Sequence, residues 1–300
     1  LTNYIGIDIG GTAVKYALLD EKGTITQAGK KQSPKTLEAL ITCLKNIQNE
    51  FSSLPIVGIA LSMPGLIDSS TGHAVHGGAL TFIRDCNIRD ILTEACQTTI
   101  HIENDGKCAA LGEYWQGRLA GHSNGVALVL GTGIGGGIIV NDQLLKGAHL
   151  SAGEFSFIQT SQDFGELKDL FAYRNSVPLL VKNYAEEKDI PLKDMDGKIF
   201  FKAVDDEEPL AVKLLEDYCQ SLTQQIMNLQ TILDPEVITI GGGISKQGRL
   251  FELIDYYLDS YLKKVPYPIV RPTVCQSTLG NHANLLGALK NYFIQTELNS

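Results

Sequence analysis

The chain reads as an α/β protein built from two similar lobes, and three observations predict this. An apolar strand, a glycine turn and a second apolar strand open the sequence (IGIDIGGTAVKYALLD, 5–20), and the same plan returns at GVALVLGTGIGGGIIVNDQLLKG (125–147). Helical and strand patterns alternate after each hairpin, which favours mixed sheets. No low-complexity linker lies between the halves, so the recurrence argues for two related lobes with a cleft between them.

Taken in order, residues 4–9, 13–19 and 24–28 predict a three-stranded meander. TLEALITCLKNIQNEF (36–51) carries Leu37, Leu40, Ile41, Leu44, Ile47 and Phe51 at helical spacing, and IVGIALS (56–62) is a β-branched strand ending at Met63-Pro64-Gly65. Ser69–Gly78 is polar and glycine-rich and is expected to be a loop. Ile88–Cys96 reads as a helix, TIHIEN (99–104) as a strand, and Cys108–Leu119 as a helix with Ala109, Ala110, Leu111, Tyr114 and Trp115 facing inward. Strands then recur near 125–130, 137–140 and 143–146, with a turn at Asn141-Asp142. A long helix, Leu210–Leu233, stops at Asp234-Pro235, where proline cannot continue it. VITIGGGIS (237–245) is strand then glycine turn, Arg249–Lys263 is helical, and Leu285–Ile294 closes the chain as a helix that packs back on the first lobe. The expected division is 1–105 with the terminal helix 283–300 for the N-terminal lobe, and 106–282 for the C-terminal lobe.

Composition narrows the function. With 300 residues, 44% of them hydrophobic, the chain can bury its own core without staples. Twenty-five basic residues against 34 acidic ones give a formal charge of -9, with no cationic run to track a phosphate backbone. Nucleic acid and anionic membrane are therefore not expected partners. No apolar run approaches the ~20 residues of a spanning helix, and the first residues enter a strand pattern directly, so a cytoplasmic location is expected. Cys43, Cys86, Cys96, Cys108, Cys219 and Cys275 form no C-x-C or C-x-x-C pair and read as core thiols. His73, His76, His101, His122, His149 and His282 show no ligand spacing.

The glycine turns carry the chemistry. Amides presented by a bare, tight turn form a nest for phosphate oxygens, which larger side chains would obstruct. In the first hairpin Gly10, Gly11 and Thr12 follow Asp8, whose side chain alternates away from Ile7 and Ile9. A carboxylate beside a phosphate nest makes sense with Mg²⁺ between them, as with a nucleoside triphosphate; taken alone, the hairpin is equally a structural turn with a surface aspartate. GTGIGG (131–136) satisfies G-x-G-x-x-G, but a β-hairpin follows where the dinucleotide fingerprint needs a helix. No G-x-x-x-x-G-K-[ST] occurs. Gly241–Gly243 ends a strand and either lets a flat ring such as adenine approach or serves as a turn. Between the hairpins, Asn104 and Asp105 stand where a strand gives way to a helix. An N-cap explains one of them; the other is a candidate base for a substrate hydroxyl, made weak by the helix N-terminus yet adequate for phosphoryl transfer.

DIGGT, END before an alanine-rich helix, GTGIGGG, AGE at 152–154 and IGGG at 240–243 resemble, in the same order and over nearly the whole chain, the ROK group of sugar kinases and repressors. The resemblance implies a two-lobed actin-like ATPase (ribonuclease H-like) fold with the active site in the interlobe cleft, and an ATP-dependent kinase acting on a hydroxyl, usually O6, of a hexose or derivative such as glucose, N-acetylmannosamine or a β-glucoside. It implies Asp105 as base, with Asn104, Glu154 and Gly65 also at the sugar. It places Gly10, Gly11, Thr12, Gly131, Thr132 and Gly133 on the phosphates, Gly242 and Gly243 beside adenosine, and Asp8 on Mg²⁺, directly or through water. Lys15 matches a lysine found after G-G-T-x-x in some members and reads equally well as an exposed, solvated lysine. A homodimer is expected.

The departures bear on the sugar. Where the family pattern has Gly-His one residue after AGE, this chain has Ser156 and Phe157, and 161–173 has no cysteine, so no zinc site is expected. Phe157 is a candidate to narrow or dry that end of the sugar pocket, and Glu166 a candidate stand-in for the glutamate that follows the cysteines, at altered spacing; the sequence leaves open whether either shapes the pocket. A repressor of the same group needs a DNA-binding module ahead of the hairpin, whereas this sequence enters its first strand by Tyr4. The competing reading is a catalytically weak sugar sensor.

Overall fold

The structure is a computed structural model that describes residues 2–161 and 165–298. In chain order the elements are β1 (Asn3–Ile9), β2 (Ala13–Asp20), β3 (Ile25–Gln32), α1 (Leu37–Glu50), β4 (Ile56–Met63), β5 (Leu66–Asp68), β6 (His73–His76), β7 (Arg84–Asn87), α2 (Ile88–Cys96), β8 (Thr99–Asn104) and α3 (Asp105–Gln116). They continue as β9 (Gly125–Leu130), β10 (Ile134–Val140), β11 (Gln143–Leu144), α4 (Phe171–Arg174), α5 (Val177–Glu187), α6 (Gly197–Asp205), α7 (Pro209–Leu233), β12 (Val237–Gly241), α8 (Gly248–Leu262), β13 (Val274–Gln276) and α9 (Ala283–Leu298). Of the helix expected at 283–300, the last two residues lie outside the described residues.

Two sheets share one plan. The first has the order β3-β2-β1-β4-β8, and the second the order β11-β10-β9-β12-β13. In the first, β1, β2 and β3 are an antiparallel meander, and β4 and β8 extend it in parallel. In the second, β9, β12 and β13 run parallel and β10 turns into β11. The β10–β11 turn uses Asn141 and Asp142 at φ 50° and 65°, the left-handed pair that a two-residue hairpin requires.

Compactness divides the chain into one unit of Leu1–Gly121, Gly137–Gly153 and Leu279–Ser300, and another of His122–Gly136 and Glu154–Thr278. This cuts elsewhere than the expected lobe boundary at 105/106, because α3, the last residues of β10 and the segment that follows them fall in the first unit. There, alternation along β1 sorts its side chains. Ile5, Ile7 and Ile9 join Leu40, Leu44 and Ile47 of α1 and Ile88 and Leu92 of α2 in one core. Tyr4, on the opposite face, joins Cys108 of α3 and Leu285, Leu289 and Tyr292 of α9 in another. Each such fully buried aliphatic or aromatic side chain is worth about 1.5–3 kcal/mol. Local capping marks the helix starts: the Thr36 hydroxyl accepts from the Ala39 amide, and the Asn87 side chain from Asp90.

In the second unit α7 runs 25 residues, with Pro209 in its first turn and the Glu208 side chain accepting from the Ala211 amide. It ends at Asp234 in the left-handed region, just before Pro235.

Some expectations need correction. Ser69–Gly78 is not all loop, since β6 runs through it as the middle strand of a small antiparallel sheet, β5-β6-β7. Its strands are too short and polar to announce themselves by alternation. The helix expected at Cys108 starts three residues earlier, at Asp105, and ends at Gln116. Tyr114 and Trp115 are only partly buried, while residues 106–113 are buried. Helices α4, α5 and α6 answer to no sequence expectation.

Candidate active site

The first turn is organised by its carbonyls. The Gly10 amide donates to the Ala13 carbonyl at 2.9 Å and closes the bend. The Gly10 carbonyl then accepts from the Ser33 hydroxyl at 2.7 Å, the Thr12 carbonyl from the Ser33 amide at 3.2 Å, and the Gly11 carbonyl from Lys35 Nζ at 3.2 Å. With its carbonyls tied back, the turn leaves the Gly11 and Thr12 amides without an acceptor among the described residues, and both residues are exposed. That is a nest of donors with a lysine behind it.

The turn between β9 and β10 repeats the arrangement within the second unit. The Gly131 amide donates to the Gly133 carbonyl at 3.0 Å, and the Gly131 carbonyl accepts from Val177, the first residue of α5, at 3.2 Å. The Thr132 and Gly133 amides have no acceptor among the described residues. Ser156 locks the next residue, since its hydroxyl accepts from the Ile134 amide and donates to the Ile134 carbonyl, both at 3.0 Å. The residue that departs from the expected Gly-His pattern thus braces the second nest. Phe157 beside it is 69% exposed, and Glu166 is exposed ahead of a short turn at 167–169.

The two glycines expected at adenosine separate on steric grounds. Gly242 has φ +91°, and a Cβ there would lie 2.0 Å from the Leu130 carbonyl oxygen, so the fold itself requires glycine. At Gly243 a Cβ would meet nothing within 4 Å and φ is not positive. Nothing in the fold demands glycine there; only a ligand lying close against the backbone would. Gly243→Ala should therefore leave the melting temperature unchanged and weaken nucleotide binding, read by thermal melting and calorimetry with ATP. Gly242→Ala should lower the melting temperature.

Of the acidic residues expected at the site, Asp8 and Asp105 lie in the first unit and Glu154 in the second. Asp8 is 8% exposed, and its Oδ1 accepts from the Ser62 hydroxyl at 2.8 Å and from Asn284 Nδ2 at 2.9 Å. Oδ2 takes neither bond and has no cation paired with it among the described residues, so one oxygen remains able to bind a hard cation. Among the described residues no three His, Cys, Asp or Glu side chains stand close enough together to hold a metal.

Asn104 caps α3: its Oδ1 accepts from the Lys107 amide at 3.1 Å, and its Nδ2 donates to the Gly65 carbonyl at 2.9 Å. Gly65, at φ +116°, needs its bareness because a Cβ would strike the His76 carbonyl. Both residues expected at the sugar are therefore also parts of one structural joint. Asp105 is the first residue of α3, and its Oδ1 accepts from the Gly106 amide at 2.8 Å. Beneath them Cys108 is fully buried; burial first, and then the charges of Glu103, Asp8 and Asp105, push its thiol well above the usual range. Three carboxylates thus push the thiol up, while the Ser62 hydrogen bond works the other way. Lys15 donates to the Asn281 side chain at 3.1 Å.

Of the expected positions, the first unit holds Asp8, Gly10, Gly11, Thr12, Gly65, Asn104 and Asp105, and the second holds Gly131, Thr132, Gly133, Glu154, Gly242 and Gly243. Sequence reasoning missed Ser33, Lys35, Ser62, Asn284 and the bracing role of Ser156. The first four carry no local signal, being tied to the turn or to Asp8 across 23 to 276 residues.

The ROK family model matches residues 4–292. A β-glucoside kinase of Klebsiella pneumoniae is 29% identical over 95% of this chain and 94% of its own length. A ROK family protein from Streptococcus pneumoniae in complex with sucrose superposes with TM-score 0.89 at 28% identity, covering 99% of this chain and 100% of that one. A ROK family glucokinase from Streptomyces griseus in complex with glucose and AMPPNP has TM-score 0.81 at 25% identity, with 96% and 98% covered.

Proposed function

The chain belongs to the ROK family, and from that premise we propose that it transfers the γ-phosphoryl group of ATP to a hydroxyl of a hexose or hexose derivative. Its fold is the mixed α/β, two-lobed actin-like ATPase fold of the ROK sugar kinases. The observation that carries the reading is the repeated turn, with carbonyls bonded back into the protein and adjacent amides left without acceptors at 11–12 and at 132–133. These donors suit the β and γ phosphates of ATP, whose negative charge grows or shifts along the reaction.

Asp105 accepts the proton of the sugar hydroxyl and orients its oxygen. At a helix N-terminus it is a weak base, which suffices because the hydroxyl loses its proton late in a loose transition state. Glu154 and the remaining hydrogen-bonding capacity of Asn104 hold other sugar hydroxyls. Asp8 Oδ2 would hold Mg²⁺, directly or through water; when bound, the ion neutralises phosphate charge. O6 as the acceptor, a homodimer and a cytoplasmic location belong to the same proposal. Among the described residues no helix is long and apolar enough to cross a membrane.

Release of ADP, followed across glucose, mannose, their N-acetylated amines and β-glucosides, tests the reading and selects the acceptor. At least one sugar should support turnover, which EDTA should abolish and excess Mg²⁺ restore. A folded protein that binds sugar and ATP yet forms no ADP with any of them would instead be the sensor.

A further inference from the structure

Two lysines that phosphoryl transfer leaves unused flank Asp105 in the fold. Lys107, the third residue of α3, is 2% exposed, which is rare for an ammonium group. Its Nζ donates to the Leu150 carbonyl at 3.0 Å. Lys146, just past β11, reaches the opposite way. Its Nζ lies 3.1 Å from Oε2 of Glu103, a carboxylate with no exposure, as an ion pair by distance that is not aligned as a hydrogen bond. The Lys146 ammonium also donates to the buried Ser69 hydroxyl. Oε1 of Glu103 accepts from the Asn104 amide at 2.8 Å, one residue before Asp105.

The contacts are crossed: one lysine runs from α3 to the segment after β11, and the other from that segment to the end of β8. Within the segment, the Ala152 amide donates to the Lys146 carbonyl at 3.1 Å, and Leu150 is held at φ +63°. A leucine keeps a left-handed backbone only where its surroundings enforce it. All of these residues lie in the first unit, and the chain passes directly from Gly153 to Glu154. Glu103 is fully buried while the Lys146 side chain keeps 27% exposure; ion pairs that bury a charge do little for stability compared with apolar side chains of the same size, and where they persist their best-attested use is to select one register.

We infer that Lys107 and Lys146 form a clamp that registers segment 146–153 against the β8–α3 junction and thereby sets the affinity for the acceptor sugar. The inference rests on the sugar-kinase reading, in which Asp105 and Glu154 stand at the two ends of the clamped stretch. Neither lysine touches substrate; both are positioning residues. Loosening the clamp frees segment 146–153, and with it the residue that follows, Glu154, while the glycine turns at 10–12 and 131–133 keep their separate bonds. Sugar KM therefore rises and ATP KM does not.

Lys146→Met is expected to raise sugar KM by about tenfold or more, leave ATP KM within about twofold, and speed hydrogen exchange at the amides of 147–153; a tenfold change corresponds to about 1.4 kcal/mol. Lys146→Arg should keep most of the affinity. Should Lys146→Met fail to fold because Glu103 is stranded, the double variant Glu103→Gln, Lys146→Met removes both charges and should fold with sugar KM still raised. Wild-type sugar KM in the folded variant, or unchanged exchange across 147–153, overturns the inference. A wild-type enzyme that forms no ADP with any sugar overturns the kinase reading instead, and the exchange measurement then still decides whether the clamp exists.

Discussion

Asp105→Asn should lower kcat by roughly 10² to 10⁴, the usual cost of removing a general base, with little change in ATP KM and no loss of folded protein. The fold tolerates the change because the helix is capped one residue earlier, by Asn104, and because asparagine keeps the Oδ1 that accepts from the Gly106 amide. What disappears is the negative charge. Its favourable interaction with the helix N-terminus is worth about 0.3–1 kcal/mol, so a modest fall in melting temperature accompanies a large fall in rate. That disproportion separates catalysis from stability. A variant phosphorylating sugar at the wild-type rate would remove Asp105 from the mechanism and shift attention to the other carboxylates acting on Cys108, Glu103 and Asp8.

Gly287→Ala should do the reverse, losing activity through the fold. Helices α3 and α9 meet backbone to backbone: a Cβ at Gly287 would lie 1.6 Å from the Cys108 carbonyl oxygen, and one at Gly112 would lie 2.2 Å from the Ala283 carbonyl oxygen. Neither obstacle is a side chain that can swing aside. Alanine must push the helices apart, at a cost of about 3 kcal/mol or more. The strain reaches the site, because α9 carries Asn284, which donates to Asp8, and Asn291, which donates to the Ile102 carbonyl beside the end of β8. Thermal melting and activity per folded molecule should both fall. A variant that melts with the wild type would show that the helices separate freely, and the tight joint between them would lose its importance.

Much of this chain can be read locally. The bounds expected for α2 and β8 match the structure, and α1 falls within a residue of its expected ends, because an N-cap, a run of apolar spacings and a β-branched stretch act over a few residues. The glycine turns are equally legible, since bare backbone is a property of the sequence itself. Helices α5 and α6 and the β5-β6-β7 sheet were not legible. Their strands and faces are short and mixed, and their stability comes from what they pack against.

Composition, alternation and the two glycine bends were enough to establish that this is a duplicated α/β chain with a bare glycine turn opening each half, because those features depend on neighbours in sequence. Which turn amides stay without acceptors, which asparagine steadies Asp8, and which lysine reaches Glu103 depended on segments 23 to 276 residues apart. No local pattern encodes such meetings; packing of the whole chain selects them, by bringing buried donors and acceptors to the few partners that can satisfy them.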